Sequence, residues 1–438
     1  MKPVNIGILG LGTVGSGAAK VLQDNAAEIS RRLGRDVNVF MVSTRHADKA
    51  REVCPNALVT VDPFEVVKHP DVDIVVELFG GTDIAKDLVL EAVKNGKHVV
   101  TANKKLLAEY GNEIFTAAEA KNVMVHFEAA VAGGIPIIKA LREGLSANRI
   151  RSIAGIINGT SNFILTEMRE KGSAFADVLK QAQELGYAEA DPTFDIEGHD
   201  AGHKITIMSA LAFGTPVDFK ACYLEGISTL DSRDIKYAEE LGYRVKLLGI
   251  TRKTSKGIEL RVHPTLIPEC RLIANVNGVM NAVRVDADMV GETLYYGAGA
   301  GALPTASAVV ADIIDISRLI TADADNRVPH LAFQPSQVKA QNMVAMDDIT
   351  SSYYLRVQAE DKPGALGQIA TLLAEEGVSI EALIQKGVID QTTAEIVILT
   401  HSAVEKQVKS AITKIEALAF VDKPIVMIRM ESLHGQNG

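Results

Sequence analysis

The residues best placed to do chemistry stand between Ala182 and Lys204, in the run AQELGYAEADPTFDIEGHDAGHK. It holds six acids (Glu184, Glu189, Asp191, Asp195, Glu197, Asp200) and one lysine, Lys204, at its end. Gly186, Asp191-Pro192 and Gly198 break it into a loop, and from Gly202 the sequence HKITIMSALAF turns apolar and helical. Carboxylates in such number are foreign to a core. Crowded against a lysine, they suit the capture of a small ammonium-bearing ligand and the transfer of a proton. Asp200 and Lys204 stand four apart, on one face of any helix that spans both. The carboxylate then favours the charged, proton-giving lysine. His199 and His203 share the same spacing, but no third ligand or Glu-between pattern accompanies them, which disfavours a metal pair. Asp191 is expected to start a turn, and Glu184 and Glu197 to face water.

A second set of residues points to a nucleotide. PVNIGIL reads as a short buried strand, followed by Gly10-Leu11-Gly12-Thr13-Val14-Gly15 and the helical run AAKVLQ. A GxGxxG turn between strand and helix aims backbone N–H groups at a pyrophosphate. The next strand, VNVFMVS, runs into Ser43-Thr44-Arg45-His46 with no acid before Asp48. A carboxylate there would bind a ribose 2′-hydroxyl, whereas Arg45 suits a 2′-phosphate, so NADP(H) is expected over NAD(H). VDIVVELFGG, DLVLEAVKNG and HVVTANKKLL continue the alternation of strand and helix, which predicts a parallel sheet. Asn103 and Lys104 fall just after a strand, at the carboxyl edge where such sheets bind ligands.

Bulk properties narrow the rest. The 438 residues are too many for one core, so two or three domains are expected. A net charge of −10 argues against general affinity for nucleic acid or anionic membrane. No secretory pattern or membrane-length apolar run is present, and Cys54, Cys222 and Cys270 form neither a disulfide framework nor a zinc pattern, which together predict a cytoplasmic protein. From about Ile135 to Leu303 the pattern changes: RIRSIAGIINGTSNFIL reads as a strand entering a helix, and GIELRVHPTLI and NAVRVDADM as antiparallel strands. Asn158-Gly159-Thr160 is expected to be a polar turn beside a pocket rather than a glycosylation site.

These residues resemble the homoserine dehydrogenases. Ala182, Gly186-Tyr187, Asp191-Pro192, Asp195, Gly198, Asp200 and Lys204 stand at that family's spacing, and the likeness continues through Gly10–Gly15, TANKK, Asn158-Gly159-Thr160 and the GAGAG run at 297–301. The resemblance implies reduction of L-aspartate 4-semialdehyde to L-homoserine, in either direction, on the route to threonine, methionine and isoleucine. It implies Lys204 as proton donor, Lys104 as a second active-site lysine beside the nicotinamide, Glu189 and Asp200 as substrate-binding carboxylates, and Asp195 as another active-site acid. Gly186, Glu189 and Gly301 join the glycine turn and Arg45 around the cofactor. Glu128 with the carbonyls of Val131, Gly133 and Ile135 is similar to the family's monovalent-cation site, usually sodium. The readings kept open beside this one are a dehydrogenase of another small amino-acid aldehyde and a non-catalytic amino-acid sensor.

After a linker at 329–350, Tyr353, Leu355, Val357 and Ala359 alternate with polar residues as in a half-buried strand, and βαββαβ order follows. YYLRVQAEDKPGAL resembles ACT domains, small modules that pair and bind amino acids. The expected organisation is therefore α/β: a Rossmann-type parallel sheet over 1–134, completed by an amphipathic helix within 304–328; an α+β substrate and dimerisation domain over 135–303; and a ferredoxin-like ACT domain over 351–438, separate from the rest. The resemblance implies a homo-oligomer, dimer or tetramer, controlled by an effector such as L-threonine that meets the helix after Gly364. No aspartokinase segment is expected in this chain.

Overall fold

The computed structural model describes residues 2–388 and 393–433. The chain forms two compact units, each assembled from three separate stretches: 1–159, 200–222 and 279–341 in the first; 160–199, 223–278 and 342–438 in the second.

The first unit is built on a six-stranded parallel sheet. Its strands are β1 (Val4–Leu9), β2 (Val37–Ser43), β3 (Leu58–Thr60), β4 (Ile74–Glu77), β5 (His98–Thr101) and β6 (Val125–His126), in the order β3-β2-β1-β4-β5-β6. β4 and β5 are buried along their whole length, as strands covered by helices on both faces must be. That explains their runs of valine and isoleucine. Ile6, Ile8, Ile74, Val76 and Val100 form the core with Val309, Ile313 and Ile316 of the helix Ala302–Leu319. This last helix packs against the helix Thr13–Asp24, so closely that a Cβ on Gly17 would lie 2.8 Å from the carbonyl of Ala302. The unit also carries Ile150–Ile156, Met280–Ala287 and Gly291–Ala298, three antiparallel strands.

In the second unit the hairpin Tyr243–Thr254/Gly257–Pro268 pairs over its full length. The tail shows the expected βαββαβ order: Thr350–Glu360, Ala365–Glu375, Ile380–Val388, Thr393–Thr400, Glu405–Glu416 and Val426–Met430. Tyr353, Leu355 and Val357 face Ile369, Leu373, Val408, Ala411 and Ile415 across its core. Two readings need correction. The tail is not detached, because Val426–Met430 pairs in parallel with Gly257–Pro268 and extends the hairpin's sheet. Nor is Thr350–Glu360 half-buried: Tyr354, Arg356 and Gln358, on its polar face, are as enclosed as their apolar neighbours. The helix Ser232–Glu240 supplies the reason, since its Asp234 takes both Arg356 and Tyr354.

Candidate active site

The glycine turn is shaped for close approach. Gly10 has φ 95, a conformation that disfavours a side chain, and a Cβ on Gly15 would sit 2.1 Å from the Gly10 carbonyl. Space above Gly12 is open, and Gly12 heads the helix Thr13–Asp24 with no side-chain cap. The first N–H groups of that helix, from Thr13 and Val14, are therefore available to an anion. At the end of β2, Arg45, His46, Ala47, Asp48 and Lys49 line a cavity of about 720 Å³. Arg45 is exposed there, and Lys49 donates to the carbonyl of Leu11 at 2.8 Å. Lys49 thus ties the Arg45 loop to the glycine turn. Nothing in the glycine motif itself marks that lysine. Gly301, expected near the cofactor, is exposed at the start of the helix Ala302–Leu319 with φ 122.

The catalytic candidates of the first unit converge on one carboxylate. The helix containing Lys204 begins at His199, three residues earlier than the apolar run predicts, so Asp200 and Lys204 share a face. Lys204 Nζ donates to Asp200 Oδ2 at 2.7 Å and to the carbonyl of Ile157 at 2.7 Å. Lys104 Nζ reaches Asp200 Oδ1 at 2.8 Å from the first turn of the helix Lys104–Ala120. Asn158 donates a third bond, to Oδ2 at 2.9 Å, which gives the Asn158-Gly159-Thr160 turn its place in the site. Burial opposes ionisation of Asp200, but the two ammonium groups overcome it and hold the carboxyl below the usual carboxylate range. The side chain of Lys204 is 10% exposed and that of Lys104 34%. Two cations on one anion leave an excess positive charge in an enclosed place that one lysine opens to solvent.

The remaining acids of the 182–204 run lie in the second unit. Glu189 is exposed, as are Glu184 and Gly186. Asp195 sits in the short helix Thr193–Ile196 and accepts from the Thr160 hydroxyl at 3.2 Å. Asp191 accepts from the N–H of Thr193, as a turn initiator does. Among the described residues no group of three His, Cys, Asp or Glu side chains is arranged to hold a metal ion, and His203 packs edge-on against Phe219.

Glu128 is almost wholly buried, and its two carboxylate oxygens accept the N–H groups of Ile138 and Lys139, each at 2.8 Å. Its side chain is thus occupied as the cap of a helical turn. Val131, Gly133 and Ile135 are buried in the following loop, where Ala132 (φ 54) and Gly133 (φ 43) are both left-handed. Burial raises the Glu128 carboxyl to about 7, helped by the neighbouring Asp312, itself raised to about 7 by burial.

A parallel sheet with a glycine turn at its carboxyl edge, and an acid-linked lysine pair in the same unit, define a nicotinamide-dependent oxidoreductase that acts on a carbonyl or alcohol. Comparison with known proteins supplies the particular kind. Residues 136–314 match the family model "Homoserine dehydrogenase", residues 10–128 "Homoserine dehydrogenase, NAD binding domain" and residues 353–420 "ACT domain". The homoserine dehydrogenase of Neisseria gonorrhoeae is 80% identical over 99% of this chain and 100% of its own length. The crystal structure of a homoserine dehydrogenase from Thiobacillus denitrificans superposes with a TM-score of 0.95 at 61% identity, covering 99% of each chain. A hyperthermophilic archaeal homoserine dehydrogenase in complex with NADPH covers 74% of this chain and all of its own, at TM-score 0.62 and 30% identity. The chain belongs to the homoserine dehydrogenase family. It is an NAD(P)-dependent oxidoreductase of amino-acid biosynthesis that carries a C-terminal ACT domain. No helix among the described residues is long and apolar enough to cross a membrane.

Proposed function

We propose that this chain interconverts L-homoserine and L-aspartate 4-semialdehyde with NADP(H), using Lys204 as the proton donor and acceptor and Lys104 as its electrostatic partner. The observation that carries the reading is the Asp200 carboxylate shared between the two Nζ atoms. When bound, the nicotinamide supplies or takes up the hydride. As an aldehyde is reduced its oxygen gains negative charge, and the excess positive charge of the cluster stabilises it. Lys204 delivers the proton, and the carbonyl of Ile157 together with Asp200 fixes the direction of its N–H groups. Both carboxylate oxygens of Asp200 hold the lysines in place, and an acceptor position remains for the substrate. The substrate ammonium is assigned to Glu189 and Asp200, with Asp195 as a further acid of the site.

The glycine turn from Gly10 to Gly15 takes the pyrophosphate. Arg45 and Lys49 take the 2′-phosphate that distinguishes NADP(H), in keeping with the NADPH bound to the archaeal relative. A monovalent cation such as sodium fits the main-chain oxygens of the 128–135 loop, which are hard donors beside the buried negative charge of Glu128. An amino-acid effector, L-threonine foremost, binds the ACT domain near Gly364, which heads its helix at φ 88 without a side-chain cap. The enzyme works as a homo-oligomer.

Steady-state kinetics of purified protein with L-homoserine test the cofactor assignment. Arg45→Ala should raise the KM for NADP+ about 10-fold or more, the loss of one charged hydrogen bond, and leave that for NAD+ nearly unchanged. Equal effects on the two would remove Arg45 from the phosphate. The effector is tested by titrating L-threonine against the full-length enzyme, since cutting at residue 350 would strip Asp234 of its buried cation.

A further inference from the structure

At the carboxyl edge of the parallel sheet stands a carboxylate that the proton-transfer scheme does not use. Glu77, the last residue of β4, is fully buried. Its Oε1 accepts the N–H of Phe79 at 2.8 Å and its Oε2 the hydroxyl of Thr101 at 2.5 Å. The Thr101 oxygen accepts in turn the N–H of Asn103 at 3.0 Å. Asn103 donates to the carbonyl of Gly81 at 2.7 Å, and its side-chain oxygen caps the helix Lys104–Ala120 through the N–H of Leu106 at 3.0 Å. One buried acid therefore joins the loop after β4 to the loop after β5, and the second of these ends on Lys104. Phe79, whose N–H Glu77 holds, also packs over Gly10 of the glycine turn, where a Cβ would be 3.1 Å from its ring.

A carboxylate is costly to bury, and an apolar residue would fill the end of β4 at less expense. What a carboxylate adds is two acceptors in fixed directions, matched here to one donor from each loop.

We propose that Glu77 is a positioning residue for hydride transfer, acting through Thr101 and Asn103 to hold Lys104 and the loop after β4, which packs on the glycine turn, in register with each other. The inference rests on Lys104 belonging to the reacting centre. Burial raises the Glu77 carboxyl to about 7, so the clamp is complete above that pH. On acidification the protonated acid must donate where it had accepted. Glu77→Gln keeps the length but turns one acceptor into a donor, facing either the Phe79 N–H or the Thr101 hydroxyl. Thr101→Val removes the relay while keeping the shape, and Thr101→Ser restores it.

The test is the pH profile of kcat in wild type, Glu77→Gln, Thr101→Val, Thr101→Ser and the Glu77→Gln/Thr101→Val double variant, with Lys104→Met alongside. The expected result is a fall in kcat of about 10-fold or more in Glu77→Gln and Thr101→Val, with the KM for homoserine little changed. The acid limb near pH 7 should be lost in both, the double variant should be no worse than either single one, and Thr101→Ser should recover. Wild-type kcat and pH profile in folded Glu77→Gln and Thr101→Val, with Lys104→Met impaired, would overturn this inference and leave the lysine assignment standing. Wild-type turnover in Lys104→Met would overturn both. Should Glu77→Gln fail to fold, the Thr101 pair decides.

Discussion

Two buried charge clusters in this molecule use similar residue types to opposite ends. In the first unit, Asp200 is contacted by two lysines and an asparagine, and one of the lysines reaches solvent. In the second, Asp234 and Glu395 are enclosed by Arg356, which binds Asp234 through Nε at 2.5 Å and Nη2 at 2.9 Å and Glu395 through Nη1 at 3.1 Å. Tyr354 donates to Asp234, and Tyr237, Gln358 and Arg233 donate to Glu395. Arginine keeps its proton and offers a planar fork, so the second cluster is saturated and unable to pass a proton, although its Arg233 reaches solvent. Lysine is a mobile point charge that can release its proton, and two lysines on one acid leave charge to spare. Buried charge alone does not mark an active site. The chemistry of the partner cation does.

The largest effect expected from breaking this contrast is structural. Arg356→Met leaves the buried Asp234 without its cation while Glu395 keeps Arg233, and thermal or urea unfolding should show a loss of about 3–5 kcal/mol. The kcat of the molecules that remain folded should stay within about two-fold of wild type. A large kcat loss at full stability would put the second cluster in the chemistry. Asp200→Asn is the converse case. Turnover should fall about 100-fold or more, because the lysines lose the anion that aligns them. The penalty of facing two ammonium groups without a carboxylate appears as a smaller loss of stability. Unaltered turnover would make Asp200 a packing residue.

The contrast also shows what the sequence could disclose. Strands β1, β2, β4 and β5 of the parallel sheet, the glycine turn, the βαββαβ order of the tail and the Asp200/Lys204 pair were legible because each depends on spacing along one segment; the two- and three-residue strands β6 and β3 are too short to show a pattern. The second cluster was not. Arg356, Gln358 and Tyr354 alternate with Leu355, Val357 and Ala359 as the wet face of a half-buried strand would, and only the helix Ser232–Glu240, more than a hundred residues earlier, turns that face into an interior. For the same reason Lys104 could be placed at a sheet edge, but its contact with Asp200 could not be read. Glu77 lay unnoticed inside VDIVVELFGG, where an acid at the end of a strand looks like a loop residue.

Smaller in size is a pH-dependent effect at the 128–135 loop. Glu128 and Asp312 titrate near 7 when folded and near the ordinary carboxylate value when unfolded. Between those values the folded state binds more protons, so this pair's contribution to stability falls as pH rises towards 7 and then levels off. A bound cation favours the ionised carboxylates. Sodium chloride, compared with choline chloride, should therefore raise the Tm by a few degrees above pH 7, less at pH 5, and less in Glu128→Gln, as followed by scanning calorimetry. A sodium effect independent of both pH and Glu128 would move the cation elsewhere.

The assignment of proton transfer to Lys204 is tested most directly by Lys204→Met, with kcat for homoserine oxidation and Tm measured on the same preparation. The account predicts that kcat falls at least about 100-fold while Tm stays close to wild type and the KM for NADP+ is unchanged. Turnover at the wild-type level in a folded enzyme would contradict it.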